Sequence, residues 1–118
     1  MQFPNQFPRR GEIYYVKDCC GATGSEMWAN RHAVVISNDK LNKNSGVVMI
    51  AFITTKNKSA SRFHIDVSTK NTHRVVLCEQ IVTVDKSRLV EYKGYLAKHH
   101  LDSINHAIGY TLGAACPA

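Results

Sequence analysis

Short apolar runs alternate with polar segments through most of the chain. Residues 33–36 are apolar and largely β-branched, and the run is too short for a typical helix. It predicts a buried central strand that ends at Ser37. A longer run, 47–55, predicts a second buried strand. Residues 63–67 alternate between apolar and polar side chains, with Phe63, Ile65 and Val67 facing inward, as in a strand with one buried face.

Three further strands and one helix follow from the same pattern. The strands are expected at 12–16, 74–84 and 89–96, and Glu79-Gln80 interrupts the middle one, which indicates a bend or a polar site. Residues 97–112 form an amphipathic helix whose apolar face carries Leu101, Ile104, Ala107, Ile108 and Leu112. Position 97 lacks a capping side chain, and Gly113 is placed to end the helix. The pattern predicts a mainly β (α+β) fold, a small barrel or bent sheet of about six to seven strands with a C-terminal helix packed on its side.

The segments outside these elements are two termini and a long loop. Residues 1–8 contain the repeat Gln-Phe-Pro and predict a flexible, frayed arm, with docking of Phe3 and Phe7 as the alternative. Residues 17–30 form a loop that carries the single tryptophan, Trp28, and 39–45 has room for one helical turn. Residues 114–118 are expected to be a tail.

Composition narrows the class of partner. The 118 residues suit one domain, and their fifteen basic and nine acidic side chains give a net charge of +6. This balance suits a polyanion such as nucleic acid or an acidic protein, although a merely basic soluble protein has the same charge. Four cysteines without a Cys-x-x-Cys pair or a secretory segment favour reduced thiols in the cytoplasm. No apolar run reaches transmembrane length, so a membrane partner is not expected.

Most familiar catalytic patterns are missing. There is no phosphate-binding Gly-rich loop, no serine elbow and no helical metal-ligand spacing among the histidines, while Cys19-Cys20 has no histidine nearby in sequence. Arg31 remains, at the entry of a strand, with Thr54 and Thr55 at the end of the next strand. A planar cation and a hydroxyl at those positions can meet in a cleft, although such an arginine is often only solvated or salt-bridged.

A series of motifs spanning residues 9–113 carries a family resemblance. The motifs are Arg10-Gly11-Glu12-Ile13-Tyr14, Gly24-Ser25-Glu26, Arg31 before Val34-Val35-Ile36-Ser37-Asn38-Asp39, Ile50-Ala51-Phe52-Ile53-Thr54, His64-Ile65-Asp66-Val67 and residues 77–89. In this order and spacing they closely resemble the PemK/MazF-type toxins of toxin–antitoxin systems. The domain is therefore expected to span 9–113.

The resemblance implies a fold, an activity and partners. Members of the family have an SH3-like barrel with a C-terminal helix, cut RNA at specific sequences, act as homodimers and are neutralised by a labile antitoxin. By this resemblance Arg31 and Thr54 occupy the catalytic positions and Glu26 ends the gating loop. Glu79 and Gln80 fall near the RNA groove and the dimer contact. The chain departs from the family in having His32 where a proline is usual, and Met27-Trp28-Ala29-Asn30 in place of a Gly-rich gate.

The activity so implied needs no metal or other cofactor, because the ribose 2′-hydroxyl of single-stranded RNA is the nucleophile. Arg31 and Thr54 are expected to stabilise the phosphate, and His32 or His64 is a possible acid or base. The remaining candidates for RNA binding are Lys17, Glu26, Trp28, Thr55, Lys56, Lys58, Arg62, Glu79 and Gln80. An acidic antitoxin segment is expected across the cleft. Two alternatives are a toxin of the same barrel class that inhibits a DNA topoisomerase by binding, and a non-catalytic RNA-binding barrel.

Overall fold

Short antiparallel strands build the domain, and their bounds follow the apolar runs closely. The structure, a computed structural model, describes residues 3–17, 31–56 and 61–114. Within these ranges the strands are β1 (Glu12–Val16), β2 (Arg31–Val35), β3 (Val47–Thr54), β4 (His64–Asp66), β5 (Val75–Asp85) and β6 (Leu89–Tyr95). The helices are α1 (Asp39–Asn44) and α2 (Lys98–Thr111), and a 3₁₀ turn spans Lys86–Arg88.

The strands form a single sheet in the order β4-β5-β3-β2-β1-β6, and every neighbouring pair is antiparallel. The sheet is roughly barrel-like but not closed, because β4 and β6 remain at its two edges among the described residues. The prediction of a mainly β fold with a C-terminal helix is confirmed, with six strands. No helix in the described part of the chain is long and apolar enough to span a membrane.

Both faces of the sheet carry an apolar cluster. On the first, which we call the α2 face, Ile13, Val34, Ala51 and Ile53 pack with α2. On the second, the Arg31 face, the cluster contains Tyr14, Ala33, Val35, Ile50, Phe52 and others. The apolar runs of β2 and β3 follow from this arrangement, because strands buried on both faces cannot alternate between apolar and polar side chains.

A bulge in β5 turns two polar side chains away from the α2 face. Ile53 pairs with Val76, whereas Ala51 pairs with Ile81, so extra residues of β5 are inserted between the two pairs. Cys78 and Ile81 both pack into the α2-face cluster, and Glu79-Gln80 lies between them. The bend predicted from this polar interruption is confirmed.

Helix α2 packs on the sheet through Ile104 and Ala107, which are buried, and it begins after Ala97 without a side-chain cap. Gly113, with φ of 76°, follows its end as expected. The prediction that Leu112 lies on the apolar face is wrong: its surface is 73% exposed. The reason is that the helix ends at Thr111, so Leu112 is the C-cap, beyond the last turn.

The N-terminal segment differs from the expected frayed arm. The Phe3 ring packs edge to face on Tyr14, with the centroids 5.8 Å apart, and joins the Arg31-face cluster. The buried Glu12 carboxylate accepts hydrogen bonds from the Asn5 side chain and from the Arg9 N–H. Residues 3–8 are therefore docked on the domain, because an aromatic ring and a buried carboxylate hold them there.

Candidate active site

Arg31, the first residue of β2, is held on two sides by other strands. Its Cζ lies 4.6 Å from the centroid of the Phe52 ring on β3. Its Nη1 donates a hydrogen bond of 3.2 Å to Oε1 of Gln80 on β5. Arg31 is also register-paired with Val16 of β1. The ring and the amide together restrict the direction of the guanidinium and leave its other N–H groups for a ligand.

Thr54, the last residue of β3, lies at the same edge of the sheet as Arg31. Ala33 pairs with Phe52, and Arg31 and Thr54 each lie two residues further toward that edge. A two-residue step along a strand returns to the same face. The Thr54 Oγ1 accepts a hydrogen bond of 3.1 Å from the Lys56 N–H. This bond leaves the hydroxyl proton of Thr54 for another acceptor on the face that carries Arg31.

Burial changes the electrostatics of the arginine. Desolvation lowers the pKa of Arg31 from its usual value, because partial burial disfavours the charged form. A guanidinium with less water around it interacts more strongly with an anion than a fully hydrated one does. The site is therefore suited to an oxyanion such as phosphate, which a guanidinium grips through two oxygens.

His64 and Glu79 form a second polar pair on the Arg31 face. The distance from His64 Nε2 to Glu79 Oε2 is 2.9 Å. Ile65 packs into the α2-face cluster, so the alternation of β4 turns His64 to the other face. Glu79 directly precedes Gln80, the partner of Arg31. The β5 bulge thus places two polar contacts beside each other, one to β2 and one to β4.

His32 and Thr55 are turned to the opposite side of the same strand ends. His32 pairs with Tyr15, and their rings lie 5.2 Å apart. His32 and Thr55 line a pocket of about 190 Å³ together with Ile13 and Ile53, which belong to the α2-face cluster. Burial, followed by the charges of Lys93 and Arg74, lowers the pKa of His32, against an opposing effect of Glu91. The structure therefore places His64, but not His32, on the face of the sheet that carries Arg31 and Thr54.

The other predicted RNA contacts fall into three groups. Lys17, directly after β1, and Lys56, two residues after β3, are exposed at the edge that carries Arg31. Arg62 lies over the Tyr110 ring of α2, at 5.1 Å from its centroid. Glu26, Trp28 and Lys58 lie outside the described residues. Among the described residues there is no group of three or more histidine, cysteine or acidic side chains that could hold a metal ion.

Comparison with known proteins identifies the family. A model of the PemK-like, MazF-like toxins of type II toxin–antitoxin systems matches residues 9–112. The chain belongs to this family. It is 38% identical over 111 residues to the endoribonuclease MazF of Staphylococcus saprophyticus, covering 89% of this chain and 91% of that one.

Solved structures share the fold of this family member. A mycobacterial endoribonuclease in complex with its cognate antitoxin superposes with a TM-score of 0.77 at 22% identity, over 93% of this chain and 99% of that one. MazF from Deinococcus radiodurans gives a TM-score of 0.77 at 22% identity, over 91% and 97% of the two chains. These likenesses confirm the architecture of the sheet and its helix.

Sequence reasoning missed several residues near these strand ends. Phe52 was assigned to a buried strand without a role, although its spacing of two from Thr54 already puts it on the same face. Thr72, Arg74 and Lys93 line the pocket on the other face. Thr72 and Arg74 lie just before β5, whereas Lys93 lies on β6, and the three share no motif that identifies them in the sequence.

Proposed function

We propose that this family member is the toxin of a type II toxin–antitoxin pair, a metal-independent endoribonuclease that cuts single-stranded mRNA at specific sequences. One observation carries the proposal: the half-buried Arg31, oriented by Phe52 and Gln80, at the same edge and face of the sheet as Thr54. Membership of the toxin family and the likeness to an endoribonuclease support the same activity.

The chemistry follows from the groups that the RNA brings. The ribose 2′-oxygen attacks the adjacent phosphorus, the bond from phosphorus to the 5′-oxygen breaks, and the products carry a 2′,3′-cyclic phosphate and a 5′-hydroxyl. In the transition state the phosphoryl oxygens carry extra negative charge. Arg31 donates to two of these oxygens through its planar fork, and the Thr54 hydroxyl donates to one. Because Phe52 and Gln80 orient the guanidinium beforehand, little reorganisation is needed during the reaction.

Two protons move in this reaction, one from the 2′-hydroxyl and one to the leaving 5′-oxygen. We assign one of these transfers to His64, because it lies on the Arg31 face and its Nε2 is 2.9 Å from the Glu79 carboxylate, which orients the ring. His32 was an equal candidate by sequence, but its position in the pocket on the other face favours a different role. Glu79 therefore acts through His64, and Gln80 acts through Arg31.

The partners follow from charge and from the family. The net charge of +6 favours an acidic antitoxin segment, which would neutralise the toxin by lying across Arg31 and Thr54. We also propose a homodimer, with the RNA groove completed by the second copy, and a cytoplasmic location, where mRNA is found. A monomer at micromolar concentration in light scattering would contradict the dimer.

The decisive experiment is cleavage of a long single-stranded RNA by the purified protein in excess EDTA. We expect fragments with 2′,3′-cyclic phosphate and 5′-hydroxyl ends, and a loss of about 10²–10³ in rate when a preorganised donor is removed in Arg31→Ala. Thr54→Val tests the neutral donor, and Lys40→Gln, on α1 away from the site, is the charge control. Bound but intact RNA would instead indicate a non-catalytic RNA-binding barrel. Inhibited DNA supercoiling with uncut RNA would indicate a topoisomerase-binding toxin.

A further inference from the structure

A small cationic pocket lies on the α2 face, at the same strand ends that carry the active site on the other face. It has a volume of about 190 Å³, and Ile13 and Ile53 contribute its apolar lining. The remaining lining residues are polar or basic: His32, Thr55, Thr72, Arg74 and Lys93. Three groups that can carry positive charge and two hydroxyls thus surround a space too small for a folded partner.

Arg74, which lines this pocket, also carries an unpartnered buried donor. Its Nε is buried, and it is the one such side-chain nitrogen or oxygen without a hydrogen-bond partner in the described part of the chain. A buried donor without a partner is destabilising, and more so when the group is charged. Such a group in a native protein calls for an explanation, and a bound ion nearby is one of them.

The second cation is only partly neutralised. Lys93 Nζ lies 3.1 Å from Glu91, and 38% and 62% of the two side chains are exposed, so this ion pair is weak. Arg74 has no ion pair within the described residues to offset its charge. Ile13 and Ile53 lower the local dielectric, which strengthens attraction for an anion. The pocket therefore favours an oxyanion, and its hydroxyls add neutral donors.

We propose that this pocket binds a backbone phosphate of the RNA that flanks the phosphate being cut at Arg31. The proposal rests on the proposed function, and it adds a contact for the same substrate. Two pairs of consecutive residues, Arg31-His32 and Thr54-Thr55, present their side chains to opposite faces of the same two strands. An RNA strand that crosses this edge of the sheet meets both sites. Arginine, lysine and threonine are among the usual partners of nucleic-acid phosphates.

The test measures how salt weakens the binding of an RNA that cannot be cut. The probe is a labelled single-stranded RNA of mixed sequence with 2′-O-methyl groups throughout, so binding does not depend on cleavage. For single strands, the logarithm of the affinity falls with the logarithm of salt by about 0.7 per phosphate contact. We expect Arg74→Gln to reduce the magnitude of this slope by about 0.7. Lys93→Gln, at a partly exposed position, should reduce it similarly.

Controls separate this proposal from its alternatives. Lys40→Gln removes one exposed positive charge on α1 and should leave the slope unchanged. If Arg74→Gln and Lys93→Gln behave like Lys40→Gln, the phosphate subsite is refuted, whether or not the wild-type protein cuts RNA. If they leave RNA binding unchanged but weaken the binding of poly-glutamate, the pocket receives an acidic peptide instead, and the proposal is equally wrong. Titration with inorganic phosphate, followed by NMR, should shift the signals of Thr55, Thr72 and His32 before those of α1.

Discussion

The arginines on the two faces of one sheet edge have different surroundings. On the Arg31 face the guanidinium has an aromatic ring at 4.6 Å and an amide acceptor at 3.2 Å, and the neighbouring Glu79 carboxylate is paired with His64. On the α2 face the Arg74 Nε is buried without an acceptor. The first arrangement is oriented before a ligand arrives, whereas Arg74 lines a pocket that a ligand can fill. Preorganisation favours catalysis, and an unmet donor favours binding.

The largest expected effect compares the same substitution on the two faces. Arg31→Lys keeps the charge but loses the planar fork, so we expect the single-turnover rate of RNA cleavage to fall by about 10²–10³. Arg74→Lys keeps a phosphate-binding charge, and we expect a loss of tenfold or less. Rapid-quench measurements at saturating protein test both. Equal losses for the two variants would remove the distinction between a catalytic face and a binding face.

A smaller effect is expected for the group that orients Arg31. Gln80→Leu removes the acceptor of the Arg31 Nη1 bond, and a hydrogen bond to a charged group is worth about 1.5–3 kcal/mol. The expected fall is therefore roughly ten- to hundredfold in kcat, with KM changed much less. Thr83→Val, at an exposed position on the same strand, is the matched control. A change confined to KM would show that Gln80 contacts the RNA itself instead of positioning Arg31.

Sequence predicts the parts of this site that depend on local patterns, and it does not predict the parts that depend on contacts between distant residues. Continuous apolar runs predict β2 and β3, and period-two alternation predicts β4. The interruption at Glu79-Gln80 predicts the bulge that brings Gln80 to Arg31. The same alternation also implies that Arg31 and His32 face opposite ways, which sequence reasoning did not use. The presence of Arg74 and Lys93 in one pocket depends on how the sheet bends, and no local pattern carries that information. Docking of Phe3 likewise depends on the Tyr14 ring, which comes into contact with Phe3 only when the chain folds.

Acid should destabilise the α2 face through His32. Burial, Lys93 and Arg74 hold the pKa of His32 below the value of about 6.5 expected in the unfolded chain, against the opposing charge of Glu91. When the pH falls below about 6.5, His32 binds a proton more readily in the unfolded chain than in the folded protein. The contribution of His32 to stability is therefore fully present above about pH 6.5, and it is lost as the pH falls from there to the folded-state pKa. We expect the Tm of wild type to fall more between pH 7 and pH 5 than the Tm of His32→Gln.

His100 also makes the protein less stable in acid. Burial, followed by the charges of His99 and Arg74, lowers the pKa of His100, whereas the charge of Asp66 opposes this shift. His32→Gln should therefore reduce the acid sensitivity without abolishing it. Saturating 2′-O-methyl RNA should reduce it as well, because a phosphate in the pocket favours the protonated imidazole. Identical Tm profiles for wild type and His32→Gln would mean that this pocket is not acid-sensitive.

The smallest effect concerns stability alone. It tests whether a change in the stability of the domain by itself alters the cleavage rate or the salt dependence of RNA binding. Ala97 precedes α2 in an extended conformation, with φ of −68° and ψ of 158°, and makes no side-chain cap bond. Ala97→Ser supplies an oxygen for a free N–H of the first turn, which is worth about 1 kcal/mol. For a domain of this size that gain corresponds to a rise in Tm of roughly 3–6 °C by calorimetry. Because Ala97 does not line the pocket and is not one of the partners that orient Arg31, the cleavage rate and the salt slope should both stay at wild-type values. If the salt slope changed with Tm in this variant, the α2 face would be responding to helix stability, and the effects of Arg74→Gln would need the same explanation.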